Sequence, residues 1–549
     1  MLVLWLTIFI SLLQSSSAVY QQSLSAASTF VSTELQRSDD DWDLNKPLTS
    51  NSTANLVFAT ISSLLQSAPN LRYRNGHTLV PGIIRSGTLL YHGRGDSNIP
   101  TMEWVAFDPE ASYIFCKLYG QSQSCWLHTF RVERFLRILY FDGSSAAKIG
   151  DGAMDSQDIL TWGEIKPDLV REEGMRIRKL CEWGAKVGLD GFVRTASISE
   201  MMLCDFSPLQ LISSRHIKST PMTIPLKDRS PVPTPRTPIG PLPITSDYID
   251  FLRISGRFDH YPGMMQVQLD LAHFVSLYDE KLAPSLSTVR EGKPRLRHRL
   301  LGMSQEDILR VKLHLEEQIA EVAWSSLECA GNHLDWSTHL HSIVDLYRDT
   351  FEDLWYIINS TISLSPADVR AENAFRMIES IVRPFVLHSV SPTGTSPDIA
   401  WASSVFKECA LSHASAVSAI SFTNSEELLR NAIEGTTREL CRVMTKMWTD
   451  GVHEGMSPLF GSTHKPEDAT FLLDTWKVDL GNLIDWLDWG TWMRCRPACK
   501  QLEFCYLPAW PFGVGNLSRP AAGWHEHNPQ PRCLRKIPPF IYADDFLKL

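Results

Sequence analysis

The sequence predicts an α+β N-terminal domain followed by a mainly α-helical C-terminal domain with a disulfide-stapled tail. Three observations carry that reading. Strand-like apolar runs, RSGTLLYHGRG (85–95) and FLRILYFDG (135–143), fall in the first half of the chain. From Ser304 the apolar residues recur at helical spacing. Between these regions eight prolines occupy Pro221–Pro243, where missing amide donors and fixed φ exclude a helix or a central strand.

A chain of 549 residues exceeds a single core, which sets an expectation of two or three domains. Its 44% hydrophobic and 21% charged residues describe an ordinary folded protein. A net charge of −10 argues against a general nucleic-acid or anionic-membrane binder.

Taken in order, residues 1–18 open with MLVLWLTIFISLL, too short to span a bilayer and followed by small residues. They read as a secretory signal cut after Ala18, with an uncleaved anchor as the alternative. The sequons at Asn51, Asn359 and Asn516 fit that route as N-glycan sites, and no membrane span is expected after cleavage. Residues 19–70 are polar, with one helix expected over Ala54–Leu65. Residues 71–214 form the α+β domain. Its expected strands are Thr88–His92, Leu136–Phe141 and Met201–Phe206, and its expected helix is Asp168–Gly184. Residues 215–245 are a proline-rich linker. Residues 246–300 hold a half-buried strand, in which Met265, Val267, Leu269 and Leu271 alternate with polar residues. A basic run, Arg290 to Arg299, follows and reads as a solvated loop, with a phosphate or acidic partner as the alternative.

Residues 301–475 are expected to form a helical bundle. Ile308, Val311, Leu315, Ile319 and Val322 make one stripe, and Leu340, Val344, Tyr347, Phe351, Leu354 and Ile358 another. Residues 476–549 form a Trp- and Cys-rich tail. Cys495, Cys499, Cys505 and Cys533, with His525 and His527, could be drawn as a zinc site, but the spacing departs from that of zinc knuckles. Two disulfides are the reading for an oxidising compartment, and Cys116 with Cys125 could close a further small loop. The odd total of 11 cysteines leaves at least one unpaired. The tryptophans read as packing residues, with sugar stacking as the alternative.

No Gly-rich phosphate loop, nucleophile elbow or HExxH helix appears. GTLLYHG (87–93), WVAFDPEASY (104–113) and SEMMLCDFSPLQLIS (199–213) together resemble elements of ADP-ribosyltransferases of the poly(ADP-ribose) polymerase type. The resemblance implies NAD as substrate. It implies that His92 holds a ribose, that the Gly93 backbone holds the nicotinamide amide, and that Trp104 or Tyr113 stacks on nicotinamide. Glu200 takes the place of the catalytic acid, where a fixed carboxylate would stabilise the positive charge developing on the sugar. The implied function is an ADP-ribosyltransferase or NAD glycohydrolase with a small nucleotide partner. A non-catalytic secreted or cell-surface protein that binds through its Trp-rich tail is the competing class.

Overall fold

The computed structural model describes residues 42–49, 52–119, 124–150, 152–196, 198–218, 253–254, 256–328, 334–359, 365–392, 398–414, 422–461, 463–507 and 529–538. The expected signal, the core of the proline-rich linker, Asn51, Asn516, Trp510, Trp524, His525 and His527 lie outside the described residues. The chain divides into two compact units. One comprises Ser50–Asp349, Phe422–Ala432 and Ile484–Leu549; the other comprises Met1–Thr49, Thr350–Ser421 and Ile433–Leu483.

The first unit is built on a ten-stranded sheet. Its strands are β1 (Thr78–Ile84), β2 (Leu89–Arg94), β3 (Glu103–Ala106), β4 (Ser124–Val132), β5 (Leu136–Phe141), β6 (Gly191–Thr195), β7 (Ser199–Leu203), β8 (Leu209–Lys218), β9 (Val267–Leu269) and β10 (Val275–Ser276). The order across the sheet is β10-β1-β5-β6-β7-β3-β2-β4-β8, and β9 also pairs with β1. Strands β5 and β6 run parallel, while every other described pair is antiparallel. Helices α1 (Ala54–Ile61) and α2 (Ser67–Arg72) precede the sheet, and α3 (Pro109–Tyr119) lies between β3 and β4. Helices α4 (Asp155–Thr161) and α5 (Glu173–Lys186) make the crossover from β5 to β6.

Strand β1 is buried along all seven residues yet carries Pro81 and Gly82, the residue types that ordinarily punctuate a strand. Both fit their places. The Pro81 carbonyl accepts from the Asp270 amide at 2.8 Å. A Cβ on Gly82 would lie 2.5 Å from the Gln268 carbonyl oxygen, so β9 approaches β1 only because the side chain is absent.

Strands β9 and β10 follow the proline-rich segment in sequence but pair with β1, which precedes it. The sheet therefore draws on both sides of the expected domain boundary. The following helices α6 (Ser285–Arg290), α7 (Gln305–Glu321) and α8 (Trp324–Glu328) extend the same unit. Ser304 caps α7 by accepting from the Asp307 amide at 3.1 Å. The stripe Ile308, Val311, Leu315 and Ile319 was expected to open the bundle. It joins the sheet core instead, with Leu79, Leu139, Phe141 and Phe192 of the strands and Ile177, Leu180 and Trp183 of α5. A helix of this pattern packs on whatever apolar face is available, and four such side chains bury about 2 kcal/mol each.

The second unit is helical. It is formed by parts of α9 (Trp336–Asn359), α12 (Asn424–His453) and α13 (Ala469–Leu487), with α10 (Ala367–Val382) and α11 (Ser403–Ser412). Phe351, Leu354, Phe375, Ile378, Phe406, Leu440, Met444, Trp448, Trp476 and Leu480 are buried in it. Gly451 of α12 lets that helix meet α10, because a Cβ there would lie 2.2 Å from the Phe375 ring. Among the described residues no helix is long and apolar enough to cross a membrane.

Ten cysteines form five disulfides among the described residues: Cys116–Cys125, Cys181–Cys204, Cys409–Cys441, Cys495–Cys505 and Cys499–Cys533. The last two staple the tail, where β11 (Glu503–Tyr506) and β12 (Arg532–Arg535) pair with Cys505 opposite Cys533. The sulfurs of Cys495, Cys499 and Cys533 lie within 4.8 Å of one another, but all are bonded to sulfur and offer no thiolate to zinc. The eleventh, Cys329, lies outside the described residues. Trp476 and Trp489 are fully buried, which places both in packing roles.

Candidate functional site

Strand β2 delivers His92 and Gly93 to adjacent β3 and β4 as a continuous apolar run should. His92 is buried, donates from Nδ1 to the Trp104 carbonyl at 2.8 Å, and places Nε2 3.2 Å from Glu103. That contact is the leading cause holding the Glu103 carboxyl below its usual range. Gly93 lies under α3, where a Cβ would come 2.2 Å from the Ser112 carbonyl oxygen. Half-buried Trp104 packs at the edge of the sheet core, and half-buried Tyr113 sets its hydroxyl 3.4 Å from the Lys218 carbonyl.

Glu200 is not brought to His92. Tyr91 pairs with Ala106, and Ala106 pairs with Glu200. Residues opposite one another share a face, and neighbours along a strand point to opposite faces. Glu200 therefore stands on the face of Tyr91, and His92 stands on the other. The pair that the resemblance would need in one cleft is divided by the sheet.

What Glu200 meets is buried Arg194 of β6, which donates to Glu200, to Glu173 at 2.5 Å and to Gln157 at 3.2 Å. Lys148 lies 3.3 Å from Glu173, and Arg176 pairs with Asp158 at 2.7 Å. Burial alone would raise the Glu173 carboxyl, but Arg194 and Lys148 hold it at about 2. Burial likewise opposes the charge on Arg194, and the two glutamates outweigh it and raise its pKa. Three cations thus face three carboxylates. This is a closed ionic cluster with no carboxylate left to act.

A second polar group flanks the same loop, which runs from Asp142 to Met154 beyond the carboxyl end of β5. Ligands of open α/β sheets collect beyond such ends of parallel strands. Gly143 makes the turn at φ 71°, and a Cβ there would sit 2.6 Å from the Arg74 carbonyl oxygen and the Gly76 amide nitrogen. This close approach sets Asp142 beside His77. The Thr78 amide donates to Asp142 Oδ1 at 2.8 Å. Around them a cavity of about 10 Å³ is lined by Asn70, Tyr73, Asn75, His77, Tyr278 and Arg295, among others.

The electrostatics of this cavity are unusual. Burial pushes the Asp142 carboxyl up to about 7, against the hydrogen bonds from Thr78 and His77 amides. Burial also holds His77 neutral, well below its ordinary value. Its Nδ1 donates to the Asn75 carbonyl at 2.7 Å, which leaves Nε2 as an acceptor. That Nε2 and Asn75 Oδ1 are buried and have no hydrogen-bond partner among the described residues. The His77 ring stacks on Tyr278 at 4.3 Å. The Tyr278 hydroxyl is pushed up to about 12, chiefly by burial, and stays protonated. Arg295 lies 3.8 Å over the Tyr73 ring and donates to the Asp488 carbonyl and to Thr60 Oγ1.

Of these residues only Arg295 belongs to a stretch for which the sequence offers binding, as the alternative reading of the basic run. The basic run was expected to be solvated, but Arg290 and Arg295 point inward: Arg290 donates to the Leu277 carbonyl at 2.8 Å, and the Arg295 side chain is 8% exposed. The local signals were turn residues, Asn75-Gly76 before β1 and Asp142-Gly143 after β5, and turns of this kind are common without a site.

The profile of the family described as the YPL277C N-terminal domain matches residues 43–126 and 118–234. That stretch carries Tyr73, His77 and Asp142 but ends before Tyr278 and Arg295. No solved structure matches the chain. The chain is 32% identical over 203 residues to the Uncharacterized protein YOR389W of Saccharomyces cerevisiae, covering 29% of this chain and 32% of that protein. It is 32% identical over 204 residues to the Uncharacterized protein YPL277C of the same yeast, covering 29% of this chain and 41% of that protein. The chain therefore spans about a third of the first relative's length and two-fifths of the second's.

Proposed function

We propose that this chain acts in the secretory pathway or outside the cell, and that its sheet region holds a small hydroxyl-bearing ligand at the Asp142 cavity for proton transfer. The carrying observation is the pair of buried acceptors without partners, His77 Nε2 and Asn75 Oδ1, beside a carboxyl that titrates near neutrality. A cavity of about 10 Å³ admits one water-sized group, and two unfilled acceptors call for a group that donates. A hydrolytic water carries two O–H groups and fills both acceptors, whereas the hydroxyl end of a substrate carries one and fills one of them. Asp142, poised at about 7, takes that proton and returns it near neutral pH. His77 and Asn75 orient the oxygen, and the protonated tyrosines and Arg295 keep the wall polar without competing for the proton. The separation of His92 from Glu200 leaves an NAD-dependent reaction outside this reading.

Five disulfides support an oxidising compartment. Asn359, half-exposed at the end of α9, is then the described sequon residue placed to carry a glycan. Glycosidase treatment should increase the mobility of secreted protein, and Asn359→Gln should remove part of that shift.

The site is tested by thermal-shift measurements with glycerol, monosaccharides and nucleosides. At least one of these ligands should stabilise the wild-type chain, and Asp142→Asn and His77→Phe should each abolish the shift while retaining a cooperative melt. A null result across all three classes, or equal shifts in the variants, would overturn the reading.

A further inference from the structure

A second cavity lies at the other end of β5, roughly 16 Å from Asp142 at about 3.3 Å per strand residue. Its volume is about 220 Å³, and Arg134, Phe135, Arg137, Gly188 and Asp190 line it. Strands β5 and β6 build its floor: Asp190 Oδ2 accepts from the Arg137 amide at 2.8 Å, and the Asp190 amide donates to the Arg137 carbonyl at 2.8 Å.

The two arginines differ. Arg134 is committed, with Nη1 and Nη2 donating to Asp190 at 2.9 and 2.7 Å. Arg137 has only aromatic neighbours for its guanidinium among the described residues. The Trp324 ring lies 5.6 Å away and the Phe135 ring 6.0 Å away, with no hydrogen bond or ion pair. Gly188 keeps one side open, since a Cβ there would come 3.4 Å from Arg137 Nη1 and its φ of 73° suits glycine. The Arg134–Asp190 pair is neutral, so the lining carries one uncompensated positive charge on a planar fork that has flat rings beside it.

We propose that this cavity binds a small anion whose carboxylate or phosphate is carried on a flat apolar ring. The planar guanidinium offers paired donors to two oxygens of such a group, as carboxylates and phosphates require. Phe135, which lines the cavity, supplies surface for the ring by offset stacking, and Trp324, which is not a lining residue, backs the guanidinium. The site is independent of the Asp142 cavity and stands or falls separately.

Isothermal titration with benzoate, phenyl phosphate, inorganic phosphate and benzyl alcohol tests it. At least one of the two ring-bearing anions should bind, and their relative affinities tell carboxylate from phosphate. Inorganic phosphate, which lacks the ring, and benzyl alcohol, which lacks the charge, should each bind at least ten-fold more weakly. Arg137→Gln should weaken the ring-bearing anion at least ten-fold, and Trp324→Leu about three-fold. Should Arg137→Gln lose its melting transition, Arg137→Lys carries the test, because it keeps the charge without the fork and should bind several-fold more weakly. Binding of neither ring-bearing anion, equal binding of benzyl alcohol, or unchanged binding in the folded Arg137 variant would each overturn the proposal.

Discussion

Two buried polar clusters flank the loop after β5, and they differ in what they leave over. Around Arg194 the charges balance, with Lys148, Arg176 and Arg194 set against Asp158, Glu173 and Glu200. Around Asp142 the cation is occupied by Asp488 and Thr60, while two acceptors have no donor among the described residues. Burial of charge is common to both, so burial by itself does not mark a site. Nor does unmatched capacity alone, since Arg176 Nε and Arg194 Nε also lack hydrogen-bond partners among the described residues. What sets the Asp142 side apart is that its unfilled atoms are acceptors lining a cavity beside a carboxyl raised to about 7.

The sharpest way to break this contrast is to remove Arg194. Arg194→Met strands Glu173 and Glu200 in a buried place and should cost about 5 kcal/mol or abolish folding, read from urea unfolding. A loss near 1 kcal/mol would mean that water reaches the cluster and that it is not closed.

The pH dependence of the Asp142 side should come next in size. Its folded pKa of about 7 lies above the ordinary carboxylate value, so the folded state holds this proton more firmly than the unfolded state does. The stabilisation is complete below the unfolded pKa and is lost as pH rises through about 7. A shift of this size corresponds to at most ~4 kcal/mol between pH 4 and 8. Asp259 and Asp450, pushed by burial to about 7 and about 6, titrate with the same sign. The readout is therefore the wild-type slope minus the Asp142→Asn slope in urea midpoints. No difference between them would remove the acid–base role.

The smallest effect on stability is expected at His77. Phenylalanine keeps a ring against Tyr278 and removes the unpartnered Nε2, so His77→Phe should stay within about 1 kcal/mol of wild type. A loss several times larger would make His77 a structural residue and blur the contrast.

Much of the fold was legible locally. The expected bounds of β5 match the observed ones, those of β2 and β7 fall within three residues, and α5 begins five residues after its expected start. Strand β1 was not legible, because Pro81 and Gly82 look like punctuation until β9 and Asp270 are seen beside them. The site was scarcely legible at all. Tyr73, His77, Asp142, Tyr278 and Arg295 span more than 200 positions and share no spacing.

Local patterns along the chain set the change from strand to helix periods and the resulting fold class, and they mark the tail cysteines as partners. These follow from interactions over a few residues: which side chains repeat on a face, where proline removes a donor, and which cysteines share a short, loop-rich stretch. Tertiary structure alone decided that α7 packs on the sheet, that Arg295 turns inward, and that His92 and Glu200 face apart. The last is a matter of register, set through β2, β3 and β7 by one pairing between neighbouring strands and one between segments nearly a hundred residues apart. A shift of one residue in either pairing would have reversed it, so the outcome rests on how the strands pair and not on any one strand alone.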